Sequence, residues 1–349
     1  MTGTATPAPS TPAPARPPAT GAAAGPGPAT LLGPRPTGPV PDLAAAVRAP
    51  LPLPGRGDTA GRWRALAAWG RTDLVLARLA EGHTDALAIL AEAGCAPVPG
   101  ALYGVWAARS GGTGAELHDG AVHGTVRFCS GAHLLDRALV VAAGEGAGDR
   151  IVDVDLRDPR VRPVEGTWNP AGMAASDSVD VEFAGVPAEV PVGPPGFYTG
   201  RPGFWWGGGG VAAVWLGGAA GVVDDVRGAA GTDPHRLAHL GALHTALAAT
   251  DALLARTAQA IDADPAADHT TAVWTARAAA EQLCRTVGDR APRLAGATVL
   301  SRHDRLGARL ADLGVYVRQH HAERDLAALG ARVAATDTAA TDTVSEEAR

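Results

Sequence analysis

The sequence predicts an α+β multidomain fold: N-terminal helices, a middle β domain and a C-terminal four-helix bundle. Three observations predict it. From Asp58 to Gly94 apolar residues recur at spacings of three and four, the helical period. From Ala101 the runs become short, rich in Val and aromatics, and broken by Gly, Asp and Pro, as strands are. After "GPPGFYTGRPG" the helical period returns and persists. The boundaries that follow are a disordered Pro/Ala-rich tail over 1–54, a short helical domain over 55–103, a β domain over 104–197, a bundle over 198–333 and a disordered tail over 334–349.

The first stretch carries many of the chain's 28 prolines in an Ala/Thr/Gly background, which offers too little apolar surface to order itself. It lacks the charged start and apolar core of a signal peptide. In "DTAGRWRALAAWGRTDLVLARLAEGHTDALAILAEAG" two helices are expected, broken near Gly70, with Asp58 and Asp73 as candidate N-caps. The strands lie in "GVWAARSG", "GTVRFCSGAHLLDRALVVAAG", "RIVDVDL" and "SVDVEFAGVPAEVPVG". Next comes the charge-free "GFWWGGGGVAAVWLGGAAGVV", as long as a membrane span but with eight glycines. It reads as a buried central helix led by a loop at Gly207 to Gly210, because four consecutive glycines weaken a helix. Asp233 followed by Pro234 marks the start of a long amphipathic helix, and "HTTAVWTARAAAEQLCRTVGDRA" and "SRHDRLGARLADLGVYVRQHHAERDLAALG" supply two more. Four helices of this length make a bundle.

Composition excludes several function classes. The net charge is −6, all basic residues are arginine, and no basic block occurs, so no nucleic-acid footprint is present. Cys95, Cys129 and Cys284 are odd in number and far apart, which signals neither a disulfide framework nor a zinc knuckle. A reduced, cytoplasmic protein with no membrane partner is the expectation. His235 and His239, one turn apart, read as a surface pair rather than metal ligands, and no metal is expected.

Three stretches then resemble the acyl-CoA dehydrogenase superfamily. "GTVRFCSGAHLLDRALVVA" is similar to the segment that runs beside the flavin in that family. "WNPAGMAASDSVDVEFAGVPAEV" is similar to its Gly-Met-x-x-Ser/Thr-x-Ser strand pair ending in V-x-V-P. "ERD" resembles its late Arg-Asp pair. The resemblance spans Asp58 to Gly330 and implies FAD as cofactor and α,β-dehydrogenation of an acyl thioester. It also implies an electron-acceptor flavoprotein as partner and a homodimer or homotetramer. It places Phe128, Cys129, Ser130 and Gly131 against the flavin, Ser110 in a glycine loop near its phosphate, Arg324 and Asp325 as cofactor contacts, and Trp205 and Trp206 beside the substrate. "AARSGGTG", with Arg109, Ser110, Gly111 and Gly112, departs from the family's Thr-Glu-Pro stretch.

The usual glutamate base is missing. "LAALGARVAATDT" contains no glutamate, and the first bundle helix is charge-free. On a continuous helix Tyr316, His320 and Glu323 share one face while His321 and Asp325 are neighbours. Three readings of this stretch stay open: a metal site, a solvated face of paired charges, or the border of the flavin pocket. In the last, His320 or His321 replaces the base, with Glu323 next. The same departures suggest an alternative, a flavin-dependent monooxygenase of this fold fed by a flavin reductase. A second alternative is a scaffold that has lost flavin chemistry.

Overall fold

The computed structural model describes residues 30–347, apart from 145, 147, 189 and 190. The Pro/Ala-rich stretch therefore divides: residues 1–29 lie outside the described residues, whereas residues 30–54 form a strap bound to the bundle. Leu31 is buried, and its N–H donates to the Asp251 carboxylate at 2.6 Å. Arg71 donates to the Gly33 carbonyl at 2.7 Å, and Arg35 pairs with Asp225 at 2.9 Å. Prolines keep most of this stretch out of helix, but an extended strap held by side chains of other elements needs no local propensity. A four-residue helix, α1 (Leu43–Ala46), interrupts the strap.

α2 (Thr59–Thr72) and α3 (Leu74–Glu92) begin at the two aspartates expected to cap them. Asp58 accepts from the Gly61 N–H and Asp73 from the Leu76 N–H, each at 2.9 Å. The break falls at Asp73 rather than Gly70. Gly70 stays helical because it meets the backbone of a later helix, where a Cβ would strike the Val214 carbonyl.

β1 (Tyr103–Trp106), β2 (Gly114–His118), β3 (Ala121–Cys129), β4 (Arg137–Gly144), β5 (Asp149–Asp155), β6 (Val161–Val164), β7 (Val179–Pro187) and β8 (Pro191–Val192) form one sheet. Its order is β6-β7-β3-β2-β4-β5-β8, with β1 added parallel to β4. Alternation along the strands sends Val126, Val140, Val152, Val181 and Phe183 into one core. Leu139, Val141 and Ile151 point the other way and receive Ala86, Ile89 and Leu90 of α3. Helix α3 is thus the joint between sheet and bundle.

The bundle comprises α4 (Phe197–Gly200), α5 (Gly203–Val226), α6 (Pro234–Ala263), α7 (Thr270–Arg302), α8 (Leu306–Tyr316) and α9 (Glu323–Glu347). Asp233 caps α6, accepting from the His235 and Arg236 N–H groups at 2.9 Å. α5 is the central buried helix, but Gly207 to Gly210 lie inside it rather than in a loop before it. The reason is packing: a Cβ at Gly209 would enter the Trp63 ring, and one at Gly217 would meet the Ala67 carbonyl. Absent side chains let α2 and α5 touch backbone to backbone, which outweighs the poor helix propensity of glycine. Gly217→Ala is accordingly expected to destabilise the fold by about 1–3 kcal/mol through overpacking. Chemical denaturation reads this directly, and an unchanged midpoint would contradict it.

Two expectations at the C-terminal end need correction. The long helix read over 301–330 is three pieces: α8 ends at Tyr316, a 3-10 turn covers Val317–Gln319, and α9 starts at Glu323. The turn is made by His320, extended at ψ 122°, and by Ala322 at φ 45°. The boundary placed at 333 falls inside α9.

Candidate active site

At the end of β3 the ladder to β7 shifts register between Val126 and Cys129. Phe128 takes up the irregularity with φ 60°, a left-handed conformation unfavourable for a large side chain. The bulge turns its ring outward, 48% exposed, edge-on to Trp168 at 6.4 Å and beneath the Arg127 guanidinium at 5.1 Å. A rigid aromatic face at a strained strand end is what a flat ring system would stack on. Cys129 points the opposite way and is buried, which pushes its thiol up and leaves it inert.

Ser130 heads a chain of three hydroxyls. Ser176 donates to the Met173 carbonyl at 2.8 Å, and the Ser176–Ser178 and Ser178–Ser130 oxygens are each 2.8 Å apart. Because every hydroxyl has one proton, Ser178 must donate to Ser176 and Ser130 to Ser178. Ser130 Oγ is left as an acceptor, suited to an N–H of a bound ring. Its carbonyl accepts from Trp106 Nε1 at 3.2 Å, and the Gly131 N–H, at φ 76°, donates to the Ser176 carbonyl at 2.8 Å. The Ser110 loop lies alongside, with Gly111 against the Arg127 guanidinium. The Ser110 hydroxyl is buried and has no hydrogen-bond partner among the described residues, an orphan that a ligand would satisfy. These residues fit a flavin: one aromatic face, one committed acceptor, one unpaired hydroxyl.

Sequence reasoning missed a second polar cluster, a charged wall on the bundle side of α3. Arg78, Glu81 and Asp85 form a stripe on α3 that faces the bundle interior. Arg78 pairs with Glu81 at 2.8 Å and Arg62 with Asp85 at 2.9 Å. Burial, reinforced by the charge of Asp85, pushes the Glu81 carboxyl up to about 7 against the pull of Arg78. The Tyr316 hydroxyl stands 3.5 Å from Glu81, and burial raises it well above the ordinary tyrosine range. From α7, Arg277 donates to the Gly208 carbonyl at 2.6 Å and lies 5.0 Å over the Trp215 ring. Beside them runs an aromatic row: Tyr198–Phe204 at 5.2 Å, then Phe204–Trp205 and Trp205–Trp274, each at 5.0 Å. The signal for this wall was the charged i, i+3, i+7 spacing within an otherwise apolar helix. Such a stripe faces water as readily as a polar interior, so spacing alone could not assign it.

In the stretch after α8 the predicted residues part company. His320 is buried, and its Nδ1 accepts from the Ala322 N–H at 3.2 Å. The neutral ring therefore carries its proton on Nε2, and burial, helped by the Arg277 charge, holds its pKa below the ordinary value. Tyr316, His320 and Glu323 do not share a face, because the chain turns between them; Glu323 is exposed in the first turn of α9. His321 and Asp325 are neighbours as expected, at 3.5 Å, on the outside. Burial raises the Asp325 carboxyl, but the His321 N–H and nearby cations outweigh it and set it below its ordinary range. Arg324 is exposed, and among the described residues it pairs locally with Asp325 at 3.6 Å. The acid that ties the bundle to the Gly-Met segment is instead Asp312, which accepts from the Met173 N–H. Trp205 joins the aromatic row, whereas Trp206 packs on Gly55 of the strap.

No protein-family model matches the sequence, and no curated protein matches it. Solved structures do match. The complex of TdsC from Paenibacillus sp. A11-2 with FMN and indole is 19% identical, with a TM-score of 0.67 over 77% of this chain and 82% of that one. Methanesulfinate monooxygenase MsuC from Pseudomonas fluorescens is 19% identical, with a TM-score of 0.67 over 77% and 81%. Nitrososynthase from Micromonospora carbonacea var. africana is 17% identical, with a TM-score of 0.70 over 83% and 87%. The architecture shared with all three, helices, a middle sheet and a C-terminal bundle, is the acyl-CoA dehydrogenase-like fold.

Proposed function

We propose that this protein is a flavin-dependent oxidoreductase that uses reduced flavin and oxygen on a small polar molecule, a monooxygenase rather than an acyl-CoA dehydrogenase. The observation that carries the reading is the charged wall of Arg78, Glu81, Asp85 and Arg277 beside the start of α5. In the acyl-CoA dehydrogenases that the sequence resembles, this helix borders the acyl chain. An acyl chain needs apolar walls, and burying it against unpaired or ion-paired groups is unfavourable. The neutral His320 gives a second reason. A dehydrogenase needs a base at the substrate α-carbon, yet the free lone pair of this ring is already taken by the Ala322 N–H. What His320 offers is an Nε2–H, a donor.

The residues divide the work accordingly. Phe128 supplies a stacking face, Ser130 an acceptor and Ser110 a free hydroxyl for a flavin, which we assign as FMN, the group bound in the TdsC complex, in place of FAD. Bound and reduced, that group supplies the electrons for oxygen activation. His320 donates its Nε2–H to an oxygen of the reacting molecule, and the surrounding bundle excludes water. A separate flavin reductase, a homo-oligomeric assembly and a cytoplasmic location belong to the same proposal.

Purified protein mixed with FMN or FAD and desalted is expected to keep FMN and show its visible spectrum. With a flavin reductase and NADH it is expected to consume oxygen faster in the presence of substrate, while octanoyl-CoA without oxygen leaves the spectrum unbleached. Bleaching by the thioester would return the dehydrogenase reading. A protein that retains neither flavin would leave the scaffold alternative.

A further inference from the structure

We propose that the charged wall is a binding site for the anionic head of a small aromatic substrate, a carboxylate held by Arg277. Calling that anion a substrate rests on the flavin reading above; the anion site itself rests on geometry. Around the wall each carboxylate is already matched. Asp85 takes Arg62 at 2.9 Å, Glu81 takes Arg78 at 2.8 Å, Glu92 takes Arg201 at 2.8 Å and Glu281 takes Arg285 at 2.5 Å. Arg277 is left over. Among the described residues it forms no ion pair; its contacts are the Gly208 carbonyl and the Trp215 face. Asp325, Glu81 and Tyr316 act on it only at longer range, and burial works against its charge.

The neighbourhood is also rich in donors and short of acceptors. Trp215 Nε1 is buried without a hydrogen-bond partner among the described residues, and so is Trp274 Nε1, three residues before Arg277 on α7. Among the described residues the Tyr316 hydroxyl has only the distant Glu81 oxygen at 3.5 Å. Buried donors in native proteins are almost always satisfied, and a half-buried guanidinium with no close counter-charge is unfavourable. One oxyanion answers both deficits. The planar guanidinium fork matches a carboxylate through two parallel hydrogen bonds. Trp205, which lies against Gly208 next to Arg277, belongs to the aromatic row that would flank a planar apolar body.

Benzoate and its neutral counterpart benzamide are the probes, titrated into FMN-loaded protein while tryptophan fluorescence and flavin absorbance are followed. Benzoate is expected to bind tighter by about tenfold or more. Arg277→Gln is expected to abolish that preference, and Arg277→Lys to keep part of it. Equal binding of the two probes by the wild type, or binding of neither, overturns the anion site, and this comparison stands even if a variant fails to fold. A folded Arg277→Gln protein with full preference overturns the role of Arg277. Failure to retain FMN together with a preserved benzoate preference in fluorescence removes the flavin reading and leaves the anion site; FMN retention without any preference does the reverse.

Discussion

Replacing His320 with alanine is expected to lower turnover by about 10²–10⁴-fold, the usual scale for a lost proton donor at a reacting centre. His320→Gln is expected to lose much less, because its side-chain amide still presents an N–H. That contrast separates a donor from a base, since glutamine cannot take up a proton. The pH profile gives a further sign. Burial holds the folded pKa of His320 below the ordinary 6.5, so the ring is neutral at pH 7 and above. Activity is expected to fall only as pH drops through that lowered pKa and the ring gains a second proton, which expels the Ala322 N–H from Nδ1. Stability follows the same direction. The unfolded chain binds this proton near the ordinary value and the folded chain only at lower pH, so the contribution is complete above 6.5 and is lost as pH falls beneath it. His83, also depressed by burial, adds to the loss. Unchanged turnover in His320→Ala, measured by oxygen consumption on the proposed substrate class, would remove His320 from the chemistry.

How much of this was legible depends on whether the cause was local. Asp58, Asp73 and Asp233 cap helices through their own neighbours, and all three were readable. The resemblance singled out "RFCSG", and what the structure adds is local shape: a bulged strand end that leaves Phe128 and Ser130 on one edge with the Ser110 loop beside Arg127. The failures share a non-local cause. The strap at 30–54 is ordered by Asp251 and Asp225, some two hundred positions later in the chain. Gly207 to Gly210 sit inside a helix because Asp85, Arg277, Trp63 and Leu66 take up the space beside them where side chains would go. The turn at His320 comes in a sequence with no Gly or Pro to announce it, and a single residue, Ala322, adopts the positive φ instead. Periodicity placed His320, Tyr316 and Glu323 together by assuming the helix went on. Only the fold shows that the chain turns, burying one histidine and leaving its neighbour outside.

Removing one carboxylate from the charged wall should show that it is a balanced set rather than a collection of surface charges. Arg62 is 1% exposed, and among the described residues its charged partner is Asp85, with the Pro52 carbonyl at 3.3 Å as a further contact. Asp85→Ala leaves that guanidinium desolvated and unpaired, and is expected to destabilise the fold by about 3–5 kcal/mol. Asp85→Asn, which keeps an acceptor oxygen, should fall between the two. The double variant Arg62→Met with Asp85→Leu should regain most of the loss, because a buried ion pair contributes little beyond an apolar pair of similar volume. Urea midpoints measure all four proteins, and a loss below about 1 kcal/mol in Asp85→Ala, the scale of an exposed pair, would mean that water reaches Arg62. The same variant also changes the neighbouring acid. The Asp85 charge is part of what lifts Glu81 to about 7, so its removal should lower that pKa and leave Glu81 ionised through neutral pH. The charge lost at Asp85 sat beside Arg62, whereas the charge gained at Glu81 is one that acts on Arg277, so at the anion site the gain outweighs the loss and competes with an incoming carboxylate. Asp85→Asn, the milder change, is therefore expected to weaken benzoate relative to benzamide near pH 7 and to recover it in mild acid as Glu81 takes its proton back. Destabilisation without that pH-dependent loss of anion preference would make the wall structural and separate it from the binding site.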